Sequence, residues 1–364
     1  MEQKRLDYLD VAKGLGMILV VMSHTTEQFR YHGDLVVGFF MPLFFVASGF
    51  TYQEKGRPIW KSVLHRTRQL LVPYFVYSMI LYVIWLFYNR NQLDVVQCEL
   101  ALKGILYSRF CTYPLSTPGN TFWLIINNHP LWFLTAMYIA SVVIIITVKI
   151  CKKFKWMYPV FLVLFLYISK QMLNYPKLLP WSLDTAFLGA FFILTGFLFK
   201  KLFDVIGNRH WLKSVIFVPF IIMSVKLSIH NGMPNMSIRE YGNWGEQSLY
   251  FFAITGVMGS IVFILLSQII ALPYIKIPFI QISKASVTIL ALHAVFLDGF
   301  DKLVGPHFPR EPLSQQYWNY DYVKVGVTIL ICVLISCGWN LIVKYTMKFF
   351  SKLIKNKKNV EFNN

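Results

Sequence analysis

The 364-residue chain is 56% hydrophobic and only 14% charged, with a mean hydropathy of +0.52; a soluble domain of this length cannot hide so much apolar surface in one core, so lipid is its expected solvent. Its net charge of +18 reflects 35 Lys and Arg against 17 Asp and Glu. The basic residues punctuate apolar runs instead of forming one aromatic-interleaved patch, which argues against nucleic acid as a partner.

A bilayer core about 30 Å thick needs about 20 apolar residues per helix. Runs of that kind lie at 10–29, 34–53, 69–89, 131–150, 156–173, 182–200, 212–229, 248–272, 285–303 and 322–347. They predict an all-α integral membrane protein, a bundle of about ten transmembrane helices. The first run has no small-residue cleavage site and a second follows closely, which marks a retained helix instead of a signal peptide. The eighth and tenth are long enough to require tilt or an extension beyond the bilayer.

Most Lys and Arg residues fall in alternate connections, beginning with Lys4, Arg5 and Lys13, recurring at Lys55 to Arg68 and Lys149 to Lys155, and ending in the tail from Lys344 to Lys358. Positive charge concentrates on the cytoplasmic side, so the asymmetry predicts both termini inside and a multi-pass protein of the plasma membrane. Residues 1–350 read as one transmembrane domain and residues 351–364 as a basic cytoplasmic tail, irregular and close to the membrane. Oligomeric state leaves no signal.

The longest connection, residues 90–130, carries the turn-rich Tyr113-Pro114-Leu115-Ser116-Thr117-Pro118-Gly119-Asn120, with Cys98 and Cys111 as either a pair or two free thiols. The connection at 230–247 holds His230, Arg239, Glu240, Trp244 and Glu246, a mixture that suits carbohydrate contact and equally an ordinary solvated loop. The cysteines show no CxxC spacing, His129 and His307 have no ligand-type neighbours, and no metal is assigned.

The first run is unlike a lipid-facing helix. Asp10, Lys13 and His24 share one side of it, and the eleven-residue step from Lys13 to His24 comes within about 20° of a whole number of turns while rising about 16 Å. An ionisable group at membrane depth is costly and faces a cavity or a partner. For His24 two readings stand: a base for an attacking hydroxyl, or a neutral ring bonded to a neighbouring helix. Lys13 has the simpler alternative of reaching lipid phosphate. Asp10 sits one turn from Lys13 and can neutralise it, and Gly14 and Gly16 permit close helix packing.

Asp10-Val11-Ala12-Lys13-Gly14 followed by His24 resembles the signature of the acyltransferase 3 family, a basic residue, ten intervening residues and a histidine. Phe40 to Phe50, Arg66 to Tyr74, Leu131-Trp132-Phe133-Leu134, Gly189 to Gly196 and Ser286 to His293 are similar to further segments of that family, in order along most of the chain. Three departures stand out. Lys replaces the more frequent Arg at position 13, Phe40 stands where many members have His, and His65 occupies the first position of the paired-arginine motif.

The resemblance implies a membrane O-acyltransferase, most simply an O-acetyltransferase, that moves an acyl group from cytoplasmic acetyl-coenzyme A or another acyl-coenzyme A to a hydroxyl of a cell-surface or exported glycan. It implies no tightly bound cofactor. His24 is then the catalytic general base, and Lys13, Arg66 and Arg68 hold the donor, the two arginines by charge-assisted bonds to its phosphates. Without the resemblance Arg66 and Arg68 read equally well as topology signals. Asp10, Ser48, Trp132 and His293 support the site. His293, mid-run, either orients it, lines the acyl path or is a satisfied packing residue; Trp132 anchors the outer end of its helix; Asp298 and Asp301 read as a solvated face. A non-enzymatic glycan transporter or flippase is the alternative of another class, since polar residues in such a bundle also build permeation paths.

Overall fold

A computed structural model describes residues 6–25, 27–54, 56–91, 94–108, 129–175, 177–207, 209–308 and 315–361. They form thirteen α-helices with short 3-10 turns, and no strand occurs among them beyond an isolated bridge between Asn235 and Glu240. In order the helices are α1 (Asp7–Met22), α2 (Glu27–Thr51), α3 (Ile59–Arg66), α4 (Val72–Asn89), α5 (Val95–Tyr107), α6 (Trp132–Lys153) and α7 (Met157–Leu173). There follow α8 (Leu183–Ile206), α9 (His210–Asn231), α10 (Ser248–Ile270), α11 (Lys276–Lys284), α12 (Ser286–Leu303) and α13 (Gln315–Glu361).

Five segments are long and apolar enough to cross a bilayer: Ile59–Asn89, Trp132–Lys153, Pro180–Ile206, Gly245–Ile270 and Asn319–Thr346. A sixth forms if α11 and α12 count as one span bent by 81°. The other expected runs are helical too, with shorter apolar stretches that include Val36–Thr51, Met157–Leu173 and Val215–Asn231. In the first expected run, the helix stops at Met22 instead of continuing to 29, because three side chains turn back onto its last carbonyls. Ser23 Oγ donates to Val20 O at 2.7 Å and Thr25 Oγ1 to Met22 O at 2.7 Å, while His24 Nδ1 lies 2.8 Å from Val20 O. Such local bonds compete with the backbone ladder.

Three further boundaries differ from expectation. The third run begins earlier, since a five-residue π-helical turn, Thr67–Leu71, joins basic α3 to α4. The long connection contains α5, whose Asp94 caps the backbone N–H of Gln97 at 2.6 Å; Asp-x-x-Gln is a capping pattern visible in the sequence. The residues from Lys352 to Glu361, expected to be irregular, continue α13 without a break. Cys111 and the Tyr113–Asn120 turn lie outside the described residues, as does any bond from Cys98 to Cys111.

Helix α2 runs through the centre, packed against α8 and α10, and α1 lies among α2, α10, α11 and α12. The closest approach is at Gly49 and Gly196: a Cβ on Gly49 would sit 2.0 Å from Ile193 O, and one on Gly196 2.2 Å from Val46 O. Only glycine lets these backbones meet. The spans through α6, α8 and α10 are 61–67% buried, those through α4 and α13 only 28%. The outer helices present Val83 and Phe87 on α4, Val163 and Tyr167 on α7, Val215 and Val218 on α9, and Leu330 and Leu334 on α13. An exterior dominated by large apolar side chains in this way suits contact with lipid.

Candidate active site

His24 and His293, predicted separately, meet. Their ring centroids are 4.8 Å apart with the planes at 73°, an edge-to-face contact between the turn after α1 and the middle of α12. His24 is exposed on one side, whereas His293 is completely buried behind it. The two rings are held alike: His24 Nδ1 is 2.8 Å from Val20 O and His293 Nδ1 is 2.8 Å from Ile289 O. A carbonyl can only accept, so Nδ1 carries the proton in each neutral ring, and Nε2 carries the lone pair. His24 therefore has the tautomer that a base needs.

The placement of the pair follows from helix α12. His293 is eight residues, about 12 Å, beyond the bend at Ala285, and the helix continues ten residues past it. The bend is fixed against α1. A Cβ on Gly14 would stand 2.3 Å from Phe279 O, so α11 rests directly on the α1 backbone, as the glycine predicted. Ser283 Oγ donates to Asp10 Oδ1 at 3.1 Å, and Lys276 Nζ donates to Asp7 Oδ2 at 2.5 Å. Lys13 Nζ is 3.6 Å from Asp10 Oδ1, the expected pairing across one turn. Asp10 is thus a structural junction between α1 and α11, and Lys13 is engaged with it.

A polar cavity of about 250 Å³ opens where the end of α2 meets α3 and α6. Arg57, His65, Arg66 and Lys149 line it together with Tyr52 and Gln69, and Arg66 Nη1 donates to Gln69 Oε1 at 2.9 Å. Arg68 is exposed and does not line the cavity. Of the two predicted donor arginines, then, only Arg66 belongs to it. The π turn that begins at Thr67 re-aims the residues after Arg66, a local register change with no signature in the sequence. Lys149 and Arg57 were readable only as topology charges.

The cavity and the histidines are far apart. Gly16 of α1 packs on Leu43 of α2, which fixes the level of two helices that run in opposite directions. His24 lies eight residues past that level one way and Thr51, at the cavity rim, eight residues past it the other way, a separation of roughly 24 Å along the axis. Ser48 is half-buried near the cavity end, about 20 Å from His24 on the same count, so the structure does not join it to the pair.

At the opposite end, a second cavity of about 290 Å³ lies between the last turns of α4 and α12, where Trp85, Tyr88, Asn89, Asp298 and Lys302 line it. Tyr82 stacks on Trp85 at 6.0 Å and Lys302 pairs with Asp298 at 2.7 Å. Three expectations change nearby. Trp132 is 8% exposed, packed on Phe133 inside the bundle, where it cannot anchor a helix in the headgroups. Arg239, read as a loop residue able to meet sugar, is buried: its Nε lies 3.3 Å from Asp184 Oδ2, and its Nη atoms donate to the carbonyls of Met172, Tyr175 and Lys177. Asp301 is no simple solvated carboxylate, since it accepts from Tyr320 at 2.8 Å and from buried Lys324. Among the described residues no three His, Cys, Asp or Glu side chains gather as a metal site requires.

The residues of the histidine pair and of both cavities lie within one match to a known family. Residues 6–337 fit the acyltransferase 3 model, described as an acyltransferase domain. No curated protein and no solved structure matches the chain.

Proposed function

Because the chain belongs to the acyltransferase 3 family, a multi-pass membrane acyltransferase, we propose that it carries an acyl group from acyl-coenzyme A, acetyl-coenzyme A first among candidates, to a glycan hydroxyl, with His24 as general base. The observation that carries this reading is the separation between a cavity lined by Arg57, Arg66 and Lys149, with Glu54 among them, and a histidine whose Nε2 meets no hydrogen-bond partner among the described residues. A donor that binds by phosphates at Arg57, Arg66 and Lys149 and reacts at His24 must span roughly 24 Å of helix, and a nucleotide joined to its thioester by an extended pantetheine arm has that form. A compact acyl phosphate does not.

The chemistry needs one base. Nε2 of His24 removes the acceptor hydroxyl proton as that oxygen attacks the thioester carbon; the carbon–sulfur bond breaks and the thiolate leaves. The positive-inside charge pattern puts the basic cavity on the cytoplasmic side, where coenzyme A is made, with the N- and C-termini on the same side. The cavity between α4 and α12 then faces outward. Its aromatic faces and its amide and carboxylate groups suit a sugar, which offers apolar C–H faces and hydroxyls to such groups.

The test is release of coenzyme A by the purified protein in lipid with a surface glycan as acceptor, wild type against His24→Ala. Acceptor-dependent release that falls at least about a hundredfold in the variant supports the reading. Equal turnover in both removes His24 from the mechanism. Absence of turnover with any acceptor, together with glycan movement across vesicles, identifies a transporter.

A further inference from the structure

The histidine behind His24 has no assigned part in that reaction, and its setting is unusual for a packing residue. His293 is wholly buried in the middle of apolar α12, its Nδ1 is turned onto the Ile289 carbonyl, and its ring meets His24 edge to face at 4.8 Å. Burial of an imidazole among apolar helices is costly unless it serves a partner. An apolar ring would fill the same volume without that cost. His24 itself sits in the turn beyond α1 and is exposed on one side; its Nδ1 edge is held by Val20 O, and the edge-to-face contact with His293 supports the ring from the other side.

We propose that His293 is a positioning residue that works through His24, the two imidazoles in contact taking up no more than one further proton between them. This rests on the acyl-transfer reading above. Two protonated rings in contact would repel strongly in a medium of low dielectric, so the pair takes up one proton and resists a second. In the reaction the acceptor hydroxyl proton passes to Nε2 of His24 as the oxygen–carbon bond forms. The electron pair of the broken carbon–sulfur bond leaves with the thiolate, the proton goes from the pair to that sulfur, and both rings end neutral. His293 keeps the plane of His24 fixed through both transfers.

The charged and titratable groups on the described elements packed against α12 include Asp7, Tyr8, Asp10 and Lys13 on α1, Lys276 and Lys284 on α11, Tyr74, Tyr77, Tyr82 and Tyr88 on α4, Tyr320, Asp321 and Tyr322 on α13, and His129 in the turn before α6. Lys324 on α13 is bound to Asp301 two turns further along α12. Tyr77 is occupied by Thr288 at 2.7 Å, and His24 is the titratable group in ring contact with His293. A change at His293 should therefore reach the proton chemistry through His24.

The experiment compares His293→Phe and His293→Gln with wild type in the coenzyme A release assay, with His24→Ala alongside. Phe keeps the ring and the packing; Gln keeps a polar N–H. The expected result for His293→Phe is a fall in kcat of about tenfold or more with the donor KM unchanged. The acid limb of its kcat profile moves toward lower pH because one of two coupled proton acceptors is gone. His293→Gln should recover part of the loss, and it carries the test if the Phe variant does not fold. A His293→Phe enzyme with wild-type kcat and pH profile overturns the proposal, as does a raised donor KM with equal losses in both variants, the mark of a packing role. Wild-type turnover in His24→Ala, by contrast, defeats the acyl-transfer reading itself.

Discussion

Substitution of Gly14 by Ala tests whether the histidine pair depends on the seating of α11. The added Cβ would lie 2.3 Å from the carbonyl oxygen of Phe279, with the carbonyl carbon at 2.9 Å. Backbone cannot swing aside as a side-chain tip can, so α1 and α11 must part by about 1 Å to reach ordinary contact. The strain is of the overpacking kind, about 1–3 kcal/mol. The kinetic effect should be larger in proportion, because α11 leads through the 81° bend into the helix that carries His293, and a displacement of about 1 Å in a reacting geometry can cost about a hundredfold. We expect Gly14→Ala to lower kcat by about ten- to a hundredfold with little change in donor KM, measured as coenzyme A release by purified protein in lipid. Gly326→Ala is the control, since a Cβ there meets nothing within 4 Å. Wild-type kcat in Gly14→Ala, with an unchanged unfolding midpoint, would refute the reasoning.

Arg66→Ala should raise the donor KM by about tenfold or more, the worth of one charge-assisted bond to phosphate, whereas Arg68→Ala, off the cavity, should change it less than about twofold; both are read from donor saturation curves. Asp184→Ala leaves the Arg239 guanidinium buried beside an uncharged side chain and should cost about 3–5 kcal/mol, seen as a large fall in the thermal midpoint with the donor KM of the surviving folded protein unaltered. Trp85→Ala should raise the acceptor KM several-fold and leave the donor KM alone; a change in the donor constant instead would take the outer cavity out of acceptor binding.

How much of this the sequence already carried depends on the range of the forces involved. Local and periodic features were legible: the apolar runs, the Asp10–Lys13 pairing across one turn and the glycine that seats α11. Their meeting was not, because His24 and His293 are joined only by the folding of α12 back onto α1. Arg239 and Trp132 misled for the same reason. A residue type at a loop or helix end describes what it prefers in isolation, and here burial by chain segments far away in sequence overrides the preference. The loss of Arg68 from the cavity came from a π turn, a change of one backbone bond pattern that composition cannot register.

The contacts between α1 and α11 also set an order on synthesis. Asp7 and Asp10 find Lys276 and Ser283 269 and 273 residues later in the chain. At about 5–20 residues per second, the first helix waits on the order of 15–55 seconds in the membrane with its polar face unanswered. During that interval it resembles an orphan subunit, the kind of segment that quality-control proteases and membrane chaperones recognise. A nascent chain released before Lys276 would remain in that state permanently. Its lifetime in the cell should therefore be short, and extension through α11 should lengthen it abruptly.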